Sequence, residues 1–524
     1  MNPSDLGTIP RLVLDAAERF AGRSALEEGG RRWSFPELAQ ECLRAARAFG
    51  AAGLRHGDRV AIWAPNGSGW IFAAVGAQMA GGVLVPLNTR FKGSEAAYIL
   101  QKSRARILVG VEEFLGTRYL EQLSGHALPD LERRVLLDGS APGATSFEAF
   151  LAEGARTTEA DARRRALAVS PDDLADILFT SGTTGRPKGV MTGHHQNLRG
   201  FEAWTEVIGL REGDRYLIVN PFFHAFGYKA GWLSCIMRGA TALPHAVFDV
   251  PAVLERLPRD RVSVLPGPPA IYQSILMHPE RARYDLSSLR LAVTGAAAIP
   301  VELVRRMRDE LGFETVITGY GLTEASGIVT MCRHDDDPET IATTSGRAIP
   351  GVEVRCVDDA GREVARGEPG EVVVRGYNVM RGYFEEEAET AATIDRDGWL
   401  HTGDVGVMDE RGYLRITDRK KDMFIMGGFN CYPAEIEGLL FEHPEVGAVA
   451  VIGIPDERMG EVGMAFVVPR PGMHPKPEAL IAWCREHMAN YKVPRRVEIV
   501  DQLPMNAAGK VQKFVLRERA LAGA

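Results

Sequence analysis

The chain has 524 residues, a formal net charge of −8, and 45% hydrophobic and 25% charged residues, which are proportions of a globular protein. At about 150 residues per domain, this length exceeds one ordinary core. The acidic balance and the lack of a long basic run disfavour a nucleic-acid-binding protein. The six cysteines are scattered without a CxxC pair, so we expect a reducing, cytoplasmic compartment and no cysteine metal site.

The first elements along the chain are predicted to alternate between helix and strand. The N-terminus lacks a basic start followed by an apolar core, so we expect no signal peptide. Ser34 followed by Glu37 predicts a capping box that begins a helix. Residues 60–89 carry no charge, but Asn66 and Gly67, and later Gly81 and Gly82, interrupt the stretch. It therefore predicts a buried strand, helix and strand, with no integral membrane segment.

Further apolar runs follow at RILVGV, DILFT, RYLIVN, VSVLPG and LRLAVTG, each ending in small or polar residues. Strands of this kind favour an α/β fold with ligands at their carboxyl ends. Near Asp404 the pattern changes to a β-hairpin and a charged cluster at residues 418–422. Beyond it, helical and strand-like segments predict a compact α+β domain. We predict one domain over residues 1–418, a hinge at 419–422 and a second domain over 423–524.

The stretch ILFTSGTTGRPKGVM at residues 177–191 has the composition of a phosphate-binding loop. Its glycines let backbone N–H groups approach an anion, its hydroxyls add donors, and Lys188 adds a compact positive charge. The GxxxxGK[ST] pattern is absent, because Gly182 and Gly185 are three apart and Gly189 follows Lys188. A Walker-type ATPase is therefore disfavoured, while a solvated loop is the alternative for this segment taken alone.

Five segments together resemble, in order, the motifs of the adenylate-forming superfamily of acyl-CoA synthetases, luciferases and peptide-synthetase adenylation domains. They are the loop at 180–189, GYGLTEASG at 319–327, GWLHTGDVG at 398–406, DRKKDMFIMGGFNCYPAEIE at 418–437 and LPMNAAGKVQK at 503–513. The resemblance implies a large multi-sheet N-terminal adenylation domain, which binds ATP and the acyl group, and a small mobile C-terminal α+β domain. It also implies ATP, Mg²⁺ and coenzyme A as cofactors.

The resemblance also assigns catalytic and nucleotide-binding residues. Lys510 is expected to bridge the carboxylate and the α-phosphate, Thr323 to contact the α-phosphate, and Glu324 to hold Mg²⁺. Taken alone, Lys510 is more typical of a surface lysine, and the Thr-Glu pair of a helix start. Tyr320 is expected against the adenine, and Asp404 and Arg419 at the ribose. The expected nucleotide-binding residues are Thr180, Ser181, Gly182, Thr183, Thr184, Lys188, Gly295, Ala296, Ala297, Gly319, Tyr320, Gly321, Asp404 and Arg419.

The remaining assignments concern coenzyme A and the acid. The resemblance implies that Lys421 is the hinge and that Gly427 and Gly428 line a tunnel for the pantetheine arm, although Gly-Gly alone also suits a hairpin turn. The expected acyl-pocket residues are His224, Ala225, Gly227, Gly321 and Leu322. Small residues there imply a roomy pocket, and His224 alone is also typical of a packing histidine. RVAIWAPN, VPLNTR and VTGAAAIPVELV further resemble actinobacterial ligases for steroid-ring and terpenoid carboxylates.

We therefore predict an ATP- and Mg²⁺-dependent carboxylic acid:CoA ligase for a bulky or cyclic, or a medium- or long-chain, acid. One alternative is an adenylating enzyme that loads a carrier protein in trans or performs only the first half-reaction. A non-catalytic binder and a luciferase-type monooxygenase are further alternatives. The expected partners are small molecules, with no nucleic acid, in a cytoplasmic monomer or homodimer.

Overall fold

A computed structural model describes the chain in eight stretches. These are residues 3–180, 187–295, 299–419, 422–426, 429–456, 459–488, 490–505 and 511–522. The chain divides into two compact units. The first comprises Met1–Val354 and Val374–Leu400, and the second comprises Arg355–Val373 and His401–Ala524. The domain boundaries near residues 418 and 423 stay a prediction.

An eight-stranded sheet forms the first layer of the first unit. Its strands, in spatial order, are Gly382–Tyr383, Lys188–Gly193, Leu174–Thr180, Val83–Pro86, Arg59–Trp63, Ala105–Gly110, Arg133–Leu136 and Thr145–Ser146. The predicted strand, helix and strand at residues 60–89 is confirmed, with the helix Ser68–Met79 between two parallel strands. Both strands and that helix are almost wholly buried, which explains why the stretch has no charge.

A second sheet in the same unit contains the strand of the second predicted nucleotide motif. Its strands, in spatial order, are Arg31–Ser34, Ser24–Glu28, Thr241–Pro244 and Arg215–Ile218, then Leu291–Gly295, Thr315–Tyr320, Thr330–Met331 and Arg347–Ala348. Single-residue bridges at Val264 join the two halves. The prediction of a regular strand at VSVLPG is therefore wrong. Its backbone still hydrogen-bonds both neighbours, but Pro266 has no N–H with which to continue a ladder.

Helices pack around these sheets. The longer ones are Ile9–Arg19, Phe35–Ala51, Ser68–Met79, Gly93–Ser103, Glu159–Ala168, His194–Ile208, Val250–Arg259, Pro269–Met277 and Val301–Asp309. Shorter helical segments are Pro3–Leu6, Tyr119–Gln122, Phe147–Glu153, Gly154–Arg156, Ala225–Gly227, Tyr228–Leu233, Ser234–Arg238, Arg281–Arg283, Thr323–Ala325, Pro338–Thr343 and Glu387–Thr393. The predicted capping box at Ser34 and Glu37 is confirmed at the start of its helix. Among the described helices, none is long and apolar enough to cross a membrane.

A four-stranded sheet contains the hairpin predicted near Asp404. Its strands, in spatial order, are Val352–Val357, Pro369–Gly376, Leu400–Met408 and Leu414–Arg419. The last two are antiparallel, as predicted. A short two-stranded ribbon, Glu113–Phe114 with Thr117–Arg118, lies elsewhere in the first unit.

The last part of the second unit forms its own sheet and core. The strands, in spatial order, are Phe429–Cys431, Phe424–Met426, Gly460–Pro469 and Val446–Asp456, with Arg496–Ile499 parallel to Gly460–Pro469. The helices are Pro433–Phe441, Pro477–His487 and Lys513–Ala522. Ile436, Ile452, Phe466 and Leu480 lie in one buried cluster. The predicted fold class, α/β with a small α+β part, is confirmed.

Candidate active site

The predicted phosphate loop closes a hairpin of the first sheet, which we call the nucleotide hairpin (Leu174–Thr180 and Lys188–Gly193). Thr180 and Lys188 lie opposite each other at the end of the hairpin next to the loop, and the Thr180 Oγ1 hydroxyl is 3.5 Å from the Lys188 carbonyl oxygen. The hairpin therefore sets the positions where the loop begins and ends, although the loop residues themselves lie outside the described residues.

Lys188 lies among oxygen-bearing side chains of the first unit. Its Nζ pairs with the Glu389 carboxylate and lies 5.1 Å from the centre of the Tyr383 ring. The Tyr383 hydroxyl donates to Glu324 Oε1 at 3.1 Å. Burial raises the pKa of the Tyr383 phenol, and the neighbouring Glu324 carboxylate raises it further, so the phenol stays a donor. The structure thus joins Lys188 of the first motif to Glu324 of the second.

Tyr383 and Glu389 were not predicted from the sequence. They lie between two motifs, in a strand and a helix that bear no motif of their own. Tyr383 reaches the corner because its strand pairs with the nucleotide hairpin, Tyr383 lying opposite Val190. A tyrosine in the run RGYF gives no local sign of such pairing, since strand neighbours far apart in sequence are set by the fold.

The turn that contains Thr323 and Glu324 is fixed by buried hydrogen bonds. The Glu324 carbonyl accepts from the Met380 N–H at 2.8 Å. Ser326 Oγ donates to the Asn378 carbonyl at 2.8 Å, and Ser326 adopts a left-handed conformation with φ of 57°. That conformation is uncommon outside glycine. It is kept here by the two hydrogen bonds to residues 378 and 380. The Glu324 carboxylate is therefore presented from a rigid base.

Three predicted glycines lie where strands end beside this turn. Gly295 and Gly319 are opposite each other in parallel strands, and Tyr320 ends its strand opposite Thr330. A Cβ on Gly321 would lie 2.1 Å from the Gly327 carbonyl oxygen. No side chain fits there without moving the 321–327 backbone, so this glycine serves a close backbone approach.

Replacing Gly321 by alanine tests that approach. We expect Gly321→Ala to displace the turn with Glu324 and to lower adenylation by about 100-fold, as misplacement of about 1 Å can do. The measurement is acid-dependent exchange of labelled pyrophosphate into ATP. Gly438→Ala is the matched control, since an added Cβ there meets no atom within 4 Å and exchange should not change. Unchanged exchange in Gly321→Ala would contradict the assignment.

Three of the five predicted acyl-pocket residues, His224, Ala225 and Gly227, lie in a segment that we call the acyl-side turn (residues 224–233). His224 is exposed, and its Nδ1 accepts from the Phe226 N–H at 3.2 Å. Ala225 is buried, and its Cβ would be 2.9 Å from a Cβ placed on Gly327. The turn therefore packs beside the second nucleotide motif, where Leu322 also lies. Their roles toward an acid stay predictions.

Gly227 has a structural explanation of its own. A Cβ there would lie 2.3 Å from the carbonyl oxygens of Asn220 and Pro221. The Asn66 side chain holds the same segment, accepting from the Phe222 N–H at 2.8 Å and donating to the Asn220 carbonyl at 2.9 Å. Backbone packing thus accounts for the glycine, whatever its contribution to pocket size.

An open cleft of about 770 Å³ lies beside Tyr383. Its walls come from Met191 and from residues between 379 and 398. The predicted acyl-pocket residues do not line it. We therefore do not place the acid in this cleft.

Asp404 lies in the second unit and is buried, with 6% of its surface exposed. Its backbone N–H donates to Thr402 Oγ1 at 3.1 Å, and Thr402 Oγ1 donates to the Val372 carbonyl at 2.7 Å. The residue opposite Asp404 on the adjacent strand is Arg419, the other predicted ribose contact. The hairpin brings together the two residues that were paired by resemblance, and their role stays a prediction.

Several predicted site residues lie outside the described residues. They are Ser181, Gly182, Thr183, Thr184, Ala296, Ala297, Lys421, Gly427, Gly428 and Lys510. Within the eight described stretches, no group of three or more His, Cys, Asp or Glu side chains is arranged to hold a metal ion. A lone carboxylate such as that of Glu324 suits Mg²⁺ that arrives with phosphate oxygens.

The chain is similar to proteins of known type over nearly its whole length. A family model described as AMP-binding enzyme matches residues 13–384, and one described as AMP-binding enzyme C-terminal domain matches residues 435–510. A propanoyl:CoA ligase from Rhodococcus jostii, whose propanoyl group is carried on a methyl-dioxo-octahydro-indene, is 52% identical over 98% of each chain. A ligase of the same name from Mycobacterium tuberculosis is 50% identical over 98% of this chain and 99% of its own.

Solved structures agree with these similarities. The crystal structure of the anthranilate CoA ligase AuaEII in complex with anthranoyl-AMP has a TM-score of 0.89 and 30% identity, over 100% of this chain and 99% of its own. A Mycobacterium tuberculosis fatty acyl CoA synthetase has a TM-score of 0.77 and 31% identity, over 99% of each chain. The relatives found by sequence and those found by structure are therefore proteins of the same type.

Proposed function

The chain belongs to the AMP-binding enzyme family and is an AMP-forming acyl-CoA synthetase that uses ATP and CoA, and we propose that its acid is a fused-ring propanoate. The observation that supports this substrate most directly is the 52% and 50% identity to two ligases whose names specify a propanoyl group on a methyl-dioxo-octahydro-indene. That group has fused six- and five-membered rings with an angular methyl, the pattern of the last two rings of a steroid.

The reaction replaces a poor leaving group on the acyl carbon by a good one. A carboxylate is a poor acyl donor, because oxide would have to leave. Its oxygen attacks the α-phosphorus of ATP, the bond to the pyrophosphate oxygen breaks, and an acyl-adenylate forms. The CoA sulfur then attacks the acyl carbon, loses its proton and expels AMP. The first step brings two anions together, so positive charge must be placed where charge develops.

The first unit supplies most groups for that step. Lys188 would bind phosphate oxygens, Thr180, Ser181, Gly182, Thr183 and Thr184 would surround them, and Glu324 would hold Mg²⁺. In the structure Lys188 is paired with Glu389, so a bound triphosphate would replace that carboxylate. Thr323 would contact the α-phosphate. Gly295, Ala296, Ala297, Gly319, Tyr320 and Gly321 would contact the adenosine.

The second unit supplies the remaining groups. Lys510 would lie between the carboxylate and the α-phosphate in the first step, and Asp404 and Arg419 would bind the ribose. A rotation about Lys421 would then remove Lys510 and bring Gly427 and Gly428 to the pantetheine arm. Using one mobile part for both steps keeps the adenylation cation away from the thiol reaction.

Tyr383 should support Mg²⁺ binding by holding the Glu324 carboxylate. We expect Tyr383→Phe to raise the KM for MgATP by about 10-fold, the typical worth of a hydrogen bond to a charged group. The Mg²⁺ concentration for half-maximal rate should rise with it. Tyr377→Phe is the matched control, because that hydroxyl donates to the Pro350 carbonyl instead. An unchanged Mg²⁺ requirement in Tyr383→Phe would contradict this role.

The acid would lie against His224, Ala225, Gly227, Gly321 and Leu322. Because His224 Nδ1 accepts a backbone N–H, the neutral ring carries its proton on Nε2. A donor of this kind suits an acid with ring ketones. The six cysteines, all in described stretches, are buried and form no disulfide, which supports a cytoplasmic location.

A substrate panel tests the proposed acid. Pyrophosphate release and thioester formation would be measured with a fused-ring propanoate, decanoate, an aryl acid and acetate. We expect kcat/KM for the fused-ring acid to exceed that for acetate by at least about 100-fold, since each buried methylene contributes to discrimination. A preference for decanoate or the aryl acid would refute the proposed substrate. Transfer to a phosphopantetheinyl carrier, with none to CoA, would favour the carrier-loading alternative.

A further inference from the structure

A buried ion pair lies beneath the nucleotide hairpin, away from the predicted phosphate contacts. Lys229 Nζ is 3.2 Å from Asp176 Oδ1, and both side chains are fully buried. Thr192 Oγ1 accepts from Lys229 Nζ at 3.0 Å and donates to Asp176 Oδ1 at 2.6 Å. Asn197 Nδ2 donates to Asp176 Oδ2 at 2.6 Å. We call Lys229, Asp176, Thr192 and Asn197 the buried network.

The network joins three parts of the site. Asp176 and Thr192 are opposite each other on the two strands of the nucleotide hairpin. Asp176 lies four residues before Thr180, and Thr192 lies four residues after Lys188. With a strand period of two, each pair shares a face of its strand. Lys229 belongs to the acyl-side turn, two residues after Gly227.

A second contact joins the same turn to the same strand. Gln78 Nε2 donates both to the Tyr228 hydroxyl and to the Ala175 carbonyl, each at 3.1 Å. Tyr228 also stacks on Trp232 with ring centres 4.8 Å apart. The turn at Tyr228–Leu233 is a π-helix, and Gly231 within it leaves helical geometry with ψ of −107°. A π-helical turn is rare and is frequently found at functional sites.

Stability alone explains the network poorly. Burial lowers the pKa of Lys229, which the Asp176 charge opposes. A buried ion pair is weak support for stability, because apolar residues of similar volume serve as well or better. What the pair does supply is fixed geometry, since each charge has defined partners at short distance. A fixed link between the acyl-side turn and the nucleotide hairpin has a use in a two-substrate reaction.

We infer that Lys229 is a positioning residue, which sets the nucleotide hairpin against the acyl-side turn so that carboxylate and α-phosphate meet at reacting distance. The inference rests on the proposed function only in taking these two segments as the acid and ATP sides. It does not require a particular acid. Lys229 itself touches neither substrate, so its effect passes through the hairpin and the turn.

The first test removes the charge. Lys229→Met keeps a side chain of similar length, and we expect kcat/KM for acid-dependent ATP–pyrophosphate exchange to fall by about 10- to 100-fold, as a displacement of about 1 Å can cause. The melting temperature should also fall, because Asp176 is left as a buried, unpaired charge. Unchanged exchange in a folded Lys229→Met variant would overturn the inference.

The second test separates positioning from stability. Lys229→Met combined with Asp176→Asn removes both charges and leaves an amide for Thr192 and Asn197 to bond. We expect the melting temperature to recover while exchange stays low, because the link from Lys229 to Asp176 and Thr192 is then lost and the Gln78 contact alone does not replace it. Recovery of both would show a merely structural network and overturn the inference.

Two further variants provide an additional test and a control. Thr192→Val keeps both charges and removes one link, so it provides a test if Lys229→Met does not fold; we expect about a fivefold loss of exchange. No loss there would count against the inference. Arg290→Met breaks another buried pair, with Asp214, and should lower the melting temperature without changing exchange. All variants are assayed with an acid that the unaltered chain activates, so rejection of the fused-ring acid would refute the proposed substrate alone.

Discussion

Lys510→Ala should lose adenylation by about 100- to 1,000-fold and still convert supplied acyl-adenylate to thioester. In the proposed mechanism the ammonium acts where the carboxylate oxygen meets the α-phosphate, and loss of a group that acts mainly in the transition state has an effect of that size. In the second step the leaving group is AMP and the nucleophile is a thiol, so this cation is not required for that step. Pyrophosphate exchange measures the first step, and single-turnover thioester formation from synthetic adenylate measures the second.

Lys513→Ala is the control for that variant. It makes the same charge change three residues away, where the Lys513 Nζ pairs with a Glu437 carboxylate oxygen at 2.8 Å. Both half-reactions should keep nearly their full rates in the control. Equal loss of both half-reactions in Lys510→Ala would contradict the separation of roles between the two steps.

Gly428→Trp should have the opposite profile. If Gly428 lines the pantetheine tunnel as proposed, an indole there would exclude CoA, while the proposed adenylation geometry does not involve this residue. We expect pyrophosphate exchange close to that of the unaltered chain and thioester formation lowered by at least about 100-fold, through loss of productive binding. The measurement is the ratio of the two rates in one preparation.

Gly438→Trp is the matched control for the added bulk. Gly438 is exposed in the helix Pro433–Phe441, and a Cβ there meets no atom within 4 Å. Both rates should be retained. If Gly428→Trp transferred the acyl group to CoA at the unaltered rate, the tunnel would have to lie elsewhere.

Local sequence signals predicted the framework well. The charge-free stretch at residues 60–89 gave a strand, helix and strand, because burial on both faces leaves no place for charge. Ser34 and Glu37 gave a capping box, and the apolar run before the phosphate loop gave a strand. Asp404 and Arg419 were expected together and lie opposite each other. In each case the signal is contained in neighbouring residues or in a motif.

The contacts made between distant segments were not predictable in this way. Tyr383 reaches Glu324, 59 residues earlier, only because its strand pairs with the nucleotide hairpin. Lys229 belongs to none of the predicted motifs, yet it is fully buried against Asp176. Gly227 suggested space for an acid, whereas the backbone oxygens of Asn220 and Pro221 account for it. Tertiary packing decides such positions, and packing between distant segments cannot be predicted from a single sequence.

The central claim is that ATP phosphates bind at the corner formed by Lys188, Tyr383 and Glu324, with the acid beside the acyl-side turn. The most direct measurement is a crystal structure with a non-hydrolysable sulfamoyl analogue of the fused-ring acyl-adenylate. We expect the sulfamoyl group beside Thr323 and Glu324, and the rings against Ala225 and Gly321. An analogue bound elsewhere, or with its rings in the cleft beside Tyr383, would contradict it.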